Sequence, residues 1–419
     1  MYLPQEVLRN IANHLEFAHL LHFSRVNRTW NQIAQPAIYG HLTLKYTNYG
    51  RLYLLLRTIT NRPERGKLIR RLTLDPWYPF GHNLGNELKF EPAPPEVTTQ
   101  LVAAVGTLSL TSEMASLLRL GLEQSSTDAG LALLLCLCPA IEYISLEPCH
   151  DISDTIVMSV LAAANEETSN FPLPPDIFRS NVGWPLLAKA RVENADPESC
   201  TRVDEVESLI FLPALRTFQG HGLGLIDPEF DTSLISNIRE VFLEHSLLNA
   251  DGLETLLKAC PDLITFSIEL GDGCMGEHCD LSWIELGAVL REHGSYLETF
   301  MVSSWASYGF FDDLDETMGP LTALTSLRVL RLPYDALFGR SLPPPHAQRL
   351  KDILPKNLKS LCLQAQNMDD GIRRLCDKQV REVRDSFGFE GLRIRELIVL
   401  PDDYKISLAT RFDEVDWAA

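Results

Sequence analysis

A glycine-rich segment is the first place in this 419-residue sequence where chemistry could be expected. Gly271, Gly273 and Gly276 have the spacing that lets a backbone approach a dinucleotide pyrophosphate, provided that a helix begins there and a carboxylate follows about 20 residues later. Asp280 intervenes before the next helical pattern, and the next strand pattern ends in Val302-Ser303-Ser304-Trp305 without a carboxylate. We therefore interpret the segment as a loop and predict no cofactor.

Cysteine and histidine side chains are the second possibility, because they are ligands that zinc prefers. Cys274, His278 and Cys279 lie within six residues, but no second cluster supplies further ligands. The sequence also lacks a Ser/His/Asp elbow and a P-loop. The nine cysteines have no framework spacing, which is typical of buried free thiols in a reducing compartment. We predict no enzyme and no catalytic, cofactor or metal site.

The formal net charge of −19 is unevenly distributed along the chain. Residues 1–71 hold 11 Lys and Arg against 3 Asp and Glu, which leaves 26 basic and 53 acidic residues in 72–419. A basic N-terminal part and a strongly acidic body indicate different partners and argue against nucleic acid binding. No signal peptide and no membrane-spanning run are predicted, so we expect a cytoplasmic and/or nuclear protein that binds no membrane.

Three short helices are predicted at the N-terminus. The segment from Pro4 to Leu15 carries apolar residues at helical spacing, and a second short apolar group follows it. Asn27 is a suitable N-cap for a third helix carrying Trp30, and Pro36 is expected to disturb that helix. Three helices in about 45 residues bury little surface alone, so we expect them to pack on another domain or another protein.

The motif in these helices runs Leu3-Pro4-x-Glu6-Val7-Leu8-x-x-Ile11-x-x-x-Leu15, Leu20-Leu21, Ser24-Arg25-Val26-Asn27-Arg28-x-Trp30 and Ala34-x-Pro36-x-Ile38-Tyr39. It resembles the F-box, especially as found in fungal proteins. In that family the module binds the Skp subunit of a cullin-RING ubiquitin ligase, and the resemblance implies the same partner here. A small helical cap of the following domain is the alternative. The residues that match the apolar positions of the motif, facing Skp or the module's own core, are Leu3, Pro4, Leu8, Ile11, Leu15, Leu20, Leu21, Val26 and Trp30.

The spacing apolar-x-x-apolar-x-apolar recurs along the body and predicts repeated strands, with helical patterns such as residues 251–260, 283–290 and 346–353 between them. The ten copies are Ile69-Leu72-Leu74, Leu117-Leu120-Leu122, Ile141-Ile144-Leu146, Leu215-Phe218-Gly220, Ile238-Val241-Leu243, Leu263-Phe266-Ile268, Leu297-Phe300-Val302, Leu327-Leu330-Leu332, Leu358-Leu361-Leu363 and Ile394-Leu397-Val399. Repeated strands and helices bury their apolar faces only by stacking on their neighbours.

We therefore predict an α/β fold in three parts. A three-helix module at 1–45 and a connector at 46–67 precede an irregular leucine-rich-repeat-like solenoid with a curved parallel sheet at 68–419. Residues 80–96 and 171–204 are predicted to be loops or insertions. The repeats also resemble the F-box family, many of whose members carry such repeats as the substrate receptor.

The residue after the last apolar position of each copy is expected to face away from the core, because side chains alternate along a strand. Five of these ten residues are acidic, namely Asp75, Glu123, Glu147, Glu244 and Glu269. With neighbouring strands about 4.8 Å apart, they would form an interrupted acidic row suited to a basic segment of a protein substrate. The alternative is that an acidic protein places carboxylates on any solvated face.

Together these patterns predict a substrate-recognition adaptor of a Skp-cullin-F-box ubiquitin ligase. The N-terminal module docks to Skp, the repeats bind a protein substrate, and proximity to the charged ubiquitin carrier supplies the rate. The rival hypothesis is a leucine-rich-repeat interaction scaffold that does not direct ubiquitination.

Overall fold

The structure, a computed structural model of the chain, describes residues 3–45, 51–77, 93–108, 110–148, 155–169, 184–194, 200–230, 234–271, 281–304, 316–333, 335–339, 353–364 and 396–400. The chain forms two compact units. Unit 1 comprises Met1–Ala195 and Glu205–Arg216, and unit 2 comprises Asp196–Asp204 and Thr217–Ala419.

Both units are mixed α/β, and no helix in their described residues is long and apolar enough to cross a membrane. The elements of unit 1 are α1 Gln5–Asn13, α2 Phe17–Ser24, α3 Arg28–Tyr39, β1 His41–Leu44, α4 Leu52–Asn61, α5 Pro63–Gly66, β2 Arg71–Trp77, α6 Pro95–Val105, α7 Ser112–Glu123, α8 Thr127–Leu137, β3 Tyr143–Pro148, α9 Ile156–Ser169, β4 Lys189–Glu193 and α10 Glu207–Ile210. The elements of unit 2 are β5 Thr201–Arg202, β6 Thr217–His221, β7 Leu223–Leu225, β8 Glu240–Leu248, α11 Ala250–Ala259, β9 Thr265–Leu270, α12 Trp283–His293, β10 Thr299–Ser304, β11 Val329–Pro333, α13 Asp335–Phe338, β12 Ser360–Gln364 and β13 Glu396–Leu400.

The strands of each unit are parallel and follow one another largely in chain order. Unit 1 has the order β1-β2-β3-β4, and unit 2 has β6-β8-β9-β10-β11-β12-β13, while β7 pairs with both β5 and β8. The predicted apolar positions lie opposite one another, as where Leu72 pairs with Ile144 and Phe266 with Phe300. All four of these side chains are completely buried. Nine of the ten predicted strand motifs therefore lie on strands, because one apolar face per strand is buried against its neighbours.

The copy at Leu117-Leu120-Leu122 is the exception, and the strand predicted there is wrong. These residues lie in α7, whose N-cap Thr111 accepts a hydrogen bond from Met114 N through its hydroxyl oxygen. The segment contains no β-branched residue, and its buried leucines, Leu118 and Leu122, are four apart. Helix capping and i, i+4 burial therefore outweigh the strand-like spacing.

Two further sequence predictions need correction. The segment 171–204 is not only a loop, because β4 and β5 lie within it. Leu187, Ala190 and Val192 repeat the strand spacing there, with a small alanine at the middle apolar position. Pro36 does not break α3, since Gly40 N still donates to Pro36 O at 2.7 Å and closes the last turn.

A buried carboxylate connects two helices of unit 1. Asp128, in the first turn of α8, is 4% exposed and accepts hydrogen bonds from Ile156 N at 2.6 Å and Val157 N at 3.3 Å. These two amides open α9 and have no intrahelical acceptors, so Asp128 satisfies them from outside the helix.

We expect Asp128→Ala to lower the unfolding free energy by about 1–3 kcal/mol, because the buried amide of Val157 and the partly buried amide of Ile156 would lose their acceptor. Asp128→Asn, which keeps one carbonyl oxygen, should cost less. Urea unfolding followed by circular dichroism measures both effects. Glu113→Ala, at an exposed position in the first turn of α7, is the matched control. If Asp128→Ala lowers the unfolding free energy no more than the control does, Asp128 does not stabilise the start of α9.

Candidate protein-interaction sites

The three N-terminal helices enclose a small core of their own. Its buried members are Leu8, Ala12, Leu20, Phe23, Ile33 and Ala34. The rings of Phe23 and Trp30 lie 4.4 Å apart, and Asn27 caps α3 as predicted, its Oδ1 accepting from Trp30 N at 3.0 Å. The module therefore holds its three helices together with its own side chains.

A row of apolar side chains on the same helices lies outside that core. Leu3, Val7 and Ile11 follow one another at intervals of four residues and are 41%, 41% and 39% exposed. Phe17, at the start of α2, and Val26, after its end, are more exposed still. We call these five residues the apolar surface. Large apolar side chains grouped on one small module are typical of a surface that another protein covers.

The nine residues predicted to serve Skp binding fall into three classes. Leu8 and Leu20 belong to the module's core, and Leu15, Leu21 and Trp30 are partly buried. The exposed members are Leu3, Pro4, Ile11 and Val26. Their contact with Skp stays a prediction.

Sequence reasoning omitted Val7 and Phe17 from the predicted binding residues, although both are exposed. The spacing of Val7 and Ile11 was the available signal, because residues four apart share one face of a helix. Motif matching selected Leu8 instead, which faces inward.

The predicted acidic row exists in part at the strand ends of unit 1. Leu74 pairs with Leu146, which pairs with Val192, so Asp75, Glu147 and Glu193 each follow an aligned position. Burial raises the pKa of the Glu147 carboxyl, and the neighbouring charges of Glu193 and Asp75 raise it further. The three carboxylates therefore act on one another.

Glu193 was missed and Glu123 was wrongly included in this row. Glu193 follows the strand copy with alanine in its middle position, and Arg191 Nε lies 2.6 Å from its Oε1. Glu123 is instead the last residue of α7 and is exposed, so it does not stand at a strand end.

Glu244 and Glu269, the predicted residues of unit 2, do lie together, Glu244 in the middle of β8 and Glu269 near the end of β9. Each has a histidine at ion-pair distance: His221 Nδ1 is 3.7 Å from Glu244 Oε2, and His245 Nε2 is 3.9 Å from Glu269 Oε1. The two imidazole rings meet edge to face with centroids 5.1 Å apart. The four side chains therefore form one cluster.

A β-bulge brings both Glu244 and His245 into this cluster. The register of β8 against β9 shifts between Leu243 and Ser246, and His245 has a φ of 45°. Consecutive residues of a regular strand point to opposite faces, whereas a bulge redirects one of them. Gly271 permits the arrangement, because a Cβ there would come within 2.7 Å of the His245 backbone.

Burial raises the pKa of the Glu269 carboxyl. His245 and, more weakly, Arg331 and His221 lower that pKa, and the charge of Glu244 raises it. The net shift is upward, because the loss of solvent outweighs the nearby positive charge.

No group of three His, Cys, Asp or Glu with metal-binding geometry occurs in the described part of the chain. Cys274, His278 and Cys279 lie outside that part, as do Gly273 and Gly276. Three of the described thiols, those of Cys136, Cys138 and Cys260, are free and buried, as the sequence predicts. Burial raises the pKa of the Cys136 and Cys260 thiols to about 12, which disfavours the nucleophilic thiolate.

Comparison with known families bears on the three-helix module and its apolar surface. Residues 2–36 match the family model of the F-box domain. This match supports an F-box protein, and F-box domains generally bind Skp in cullin-RING ligases. No curated protein matches the chain.

We expect Glu147→Gln to raise the melting temperature at pH 7.5. A carboxyl whose pKa is higher in the folded than in the unfolded state contributes stability at acid pH, and that contribution is lost as pH rises through the folded pKa. At pH 7.5 the partly buried charge of Glu147 therefore lowers the free energy of unfolding, and a neutral glutamine avoids this loss.

Thermal melts at pH 7.5 and at pH 4, below the usual pKa of about 4.3, test this prediction. The gain should shrink at pH 4, and Glu113→Gln should show no such gain. An equal gain at both pH values would mean that ionisation of Glu147 is not the cause.

Proposed function

We propose that this protein is a substrate-recognition adaptor of a Skp-cullin-F-box ubiquitin ligase, acting in the cytoplasm and/or the nucleus. Its F-box docks to the Skp subunit, and its body holds a protein substrate near the ligase's charged ubiquitin carrier. Catalysis by this chain is not needed, because holding two reactants together raises their effective concentration.

The observation that carries the proposal is the separation of core and exposed apolar residues within one F-box. Leu8 and Ala12 point into the module, while Val7 and Ile11 on the same helix remain exposed. A helix with two apolar faces in so small a module fits a partner on the second face. The match to the F-box domain indicates which partner that is.

The body supports the receptor half of the proposal. We propose that it is a leucine-rich-repeat-like array, because parallel strands follow chain order with their apolar positions in register. Such an array presents one residue per strand at a shared edge. The carboxylates that follow the last apolar position of each copy, Asp75 and Glu147 in unit 1 and Glu244 and Glu269 in unit 2, suit a substrate segment that carries basic residues.

The double variant Val7→Glu, Ile11→Glu should weaken Skp binding by about 100-fold or more, since each buried aliphatic side chain contributes about 1.5 kcal/mol or more to a complex. Isothermal titration calorimetry with purified Skp and the full chain measures the change. Both side chains are exposed in the unbound protein, so folding should be unaffected.

Ile284→Glu is the matched control, because Ile284 is a similarly exposed helical residue of the body at 48%. It should bind Skp like the native chain. Normal Skp affinity of the double variant would remove the proposed docking surface.

A cullin should co-purify with the tagged full chain from cells that express Skp, and the Val7→Glu, Ile11→Glu variant should lose both proteins together. Quantitative mass spectrometry of the eluates measures this. Recovery of Skp without any cullin would favour the alternative, a leucine-rich-repeat interaction scaffold that does not direct ubiquitination.

A further inference from the structure

The strand-end cluster of unit 2 becomes progressively more buried from its rim to its base. At the rim, the side chains of His221 and His245 are 38% and 43% exposed. Glu244 comes next with a side chain 16% exposed, and Glu269 is almost fully buried. A side chain approaching from solvent would therefore pass two imidazoles and one carboxylate before reaching Glu269.

The buried end of the cluster holds one hydroxyl group that lacks a hydrogen-bond partner. Ser267 lies two residues before Glu269 on β9 and so faces the same side of the strand. It is fully buried, and its Oγ has no hydrogen-bond partner among the described residues. At 3.9 Å, His245 is too far from Glu269 for a hydrogen bond. Buried polar atoms in this condition destabilise a protein unless something binds them.

The charge of the cluster is negative when its histidines are neutral. Glu244 and Glu269 each carry a carboxylate, and Arg331 on β11 is the cation whose field reaches Glu269 most strongly after His245. Arg331 lies across Met301 from Ser267, because Met301 pairs with both residues. The unpartnered hydroxyl of Ser267 and the excess negative charge both favour a cationic hydrogen-bond donor.

We propose that the strand-end cluster of His221, Glu244, His245, Ser267 and Glu269 binds an arginine side chain of the protein substrate. This inference rests on the proposed function, because it names the feature by which the body recognises its substrate. The guanidinium donates to Glu269 at the base of the cluster, and its stem runs past the two histidines.

Arginine suits the cluster better than lysine does. A guanidinium presents five donors in a planar fork and is more weakly hydrated than an ammonium, so it loses less on entering a buried site. It can donate to a carboxylate and to a nearby hydroxyl at the same time. An ammonium is a compact, strongly hydrated charge, so its desolvation at the base of the cluster costs more free energy.

Three pools of immobilised nonapeptides test the proposal, each with randomised flanks and a central arginine, lysine or glutamine. The purified full chain bound to Skp should be retained by the arginine pool about tenfold more than by the glutamine pool, and more than by the lysine pool. Glu269→Gln should remove most of that preference. Glutamine keeps the size of the side chain and carries no buried charge, so the variant should fold.

A second variant should change retention by the arginine pool in the opposite direction. Arg331→Gln removes a cation that repels the incoming guanidinium, so retention by the arginine pool should rise about threefold. Glu292→Gln is the matched control for Glu269→Gln, because Glu292 is exposed on α12 and its Oε1 lies 3.7 Å from His293, close to the 3.9 Å between Glu269 and His245. The control should behave like the native chain.

Equal retention of the three pools by the native chain would overturn the proposal, and so would an unchanged arginine preference in Glu269→Gln. Failure of the proposed function gives a different pattern, since Skp binding is measured on the same protein samples. Arginine preference without Skp binding would leave the cluster as a recognition site of a protein that is not a ligase adaptor.

Discussion

Burial of alternate apolar side chains in a parallel register is the constraint on which the body depends. Where Leu330 and Leu332 pair with Leu361 and Leu363, all four are completely buried. This fixes the direction of every intervening residue, because strand side chains alternate between two faces. Polar residues such as Ser267 and Glu269 are therefore placed opposite the core by the burial of their neighbours.

The three-helix module follows a different constraint, because its helices present apolar side chains both to their shared core and to solvent. Leu8 and Ala12 hold the three helices together, and Val7 and Ile11, one position earlier in each turn, remain exposed. A helix that is apolar on two sides would be costly in an isolated module, because exposed apolar area gains nothing from folding. Its persistence here is consistent with a surface that is covered in an assembly.

The sequence predicted those features that depend on periodicity alone. Strand positions such as Leu74 and Leu146 and the N-cap Asn27 follow from local patterns, and the structure agrees. Periodicity failed at residues 117–122, where capping favours a helix, and at 187–192, where alanine weakens the pattern. Periodicity also placed Glu123 and Glu269 in the same acidic row. Glu123 is exposed at the end of a helix, whereas Glu269 is buried on a strand.

The cluster of unit 2 could not be predicted from the sequence, because it depends on backbone conformation and on strand order. His245 has a φ of 45°, which is uncommon for any residue other than glycine. The residue types around it do not indicate this conformation, so the bulge and its second histidine could not be predicted. The influence of Arg331 on Glu269 depends on which strands are neighbours, since two strand spacings separate them. Such contacts appear only once the strand order is known.

The chain-order pairing of strands also limits how far the effect of a substitution reaches. Each strand pairs only with the strands beside it, so a substitution on one strand perturbs its immediate neighbours and leaves distant strands intact. Substitutions on strands that are far apart in this order therefore act independently of one another.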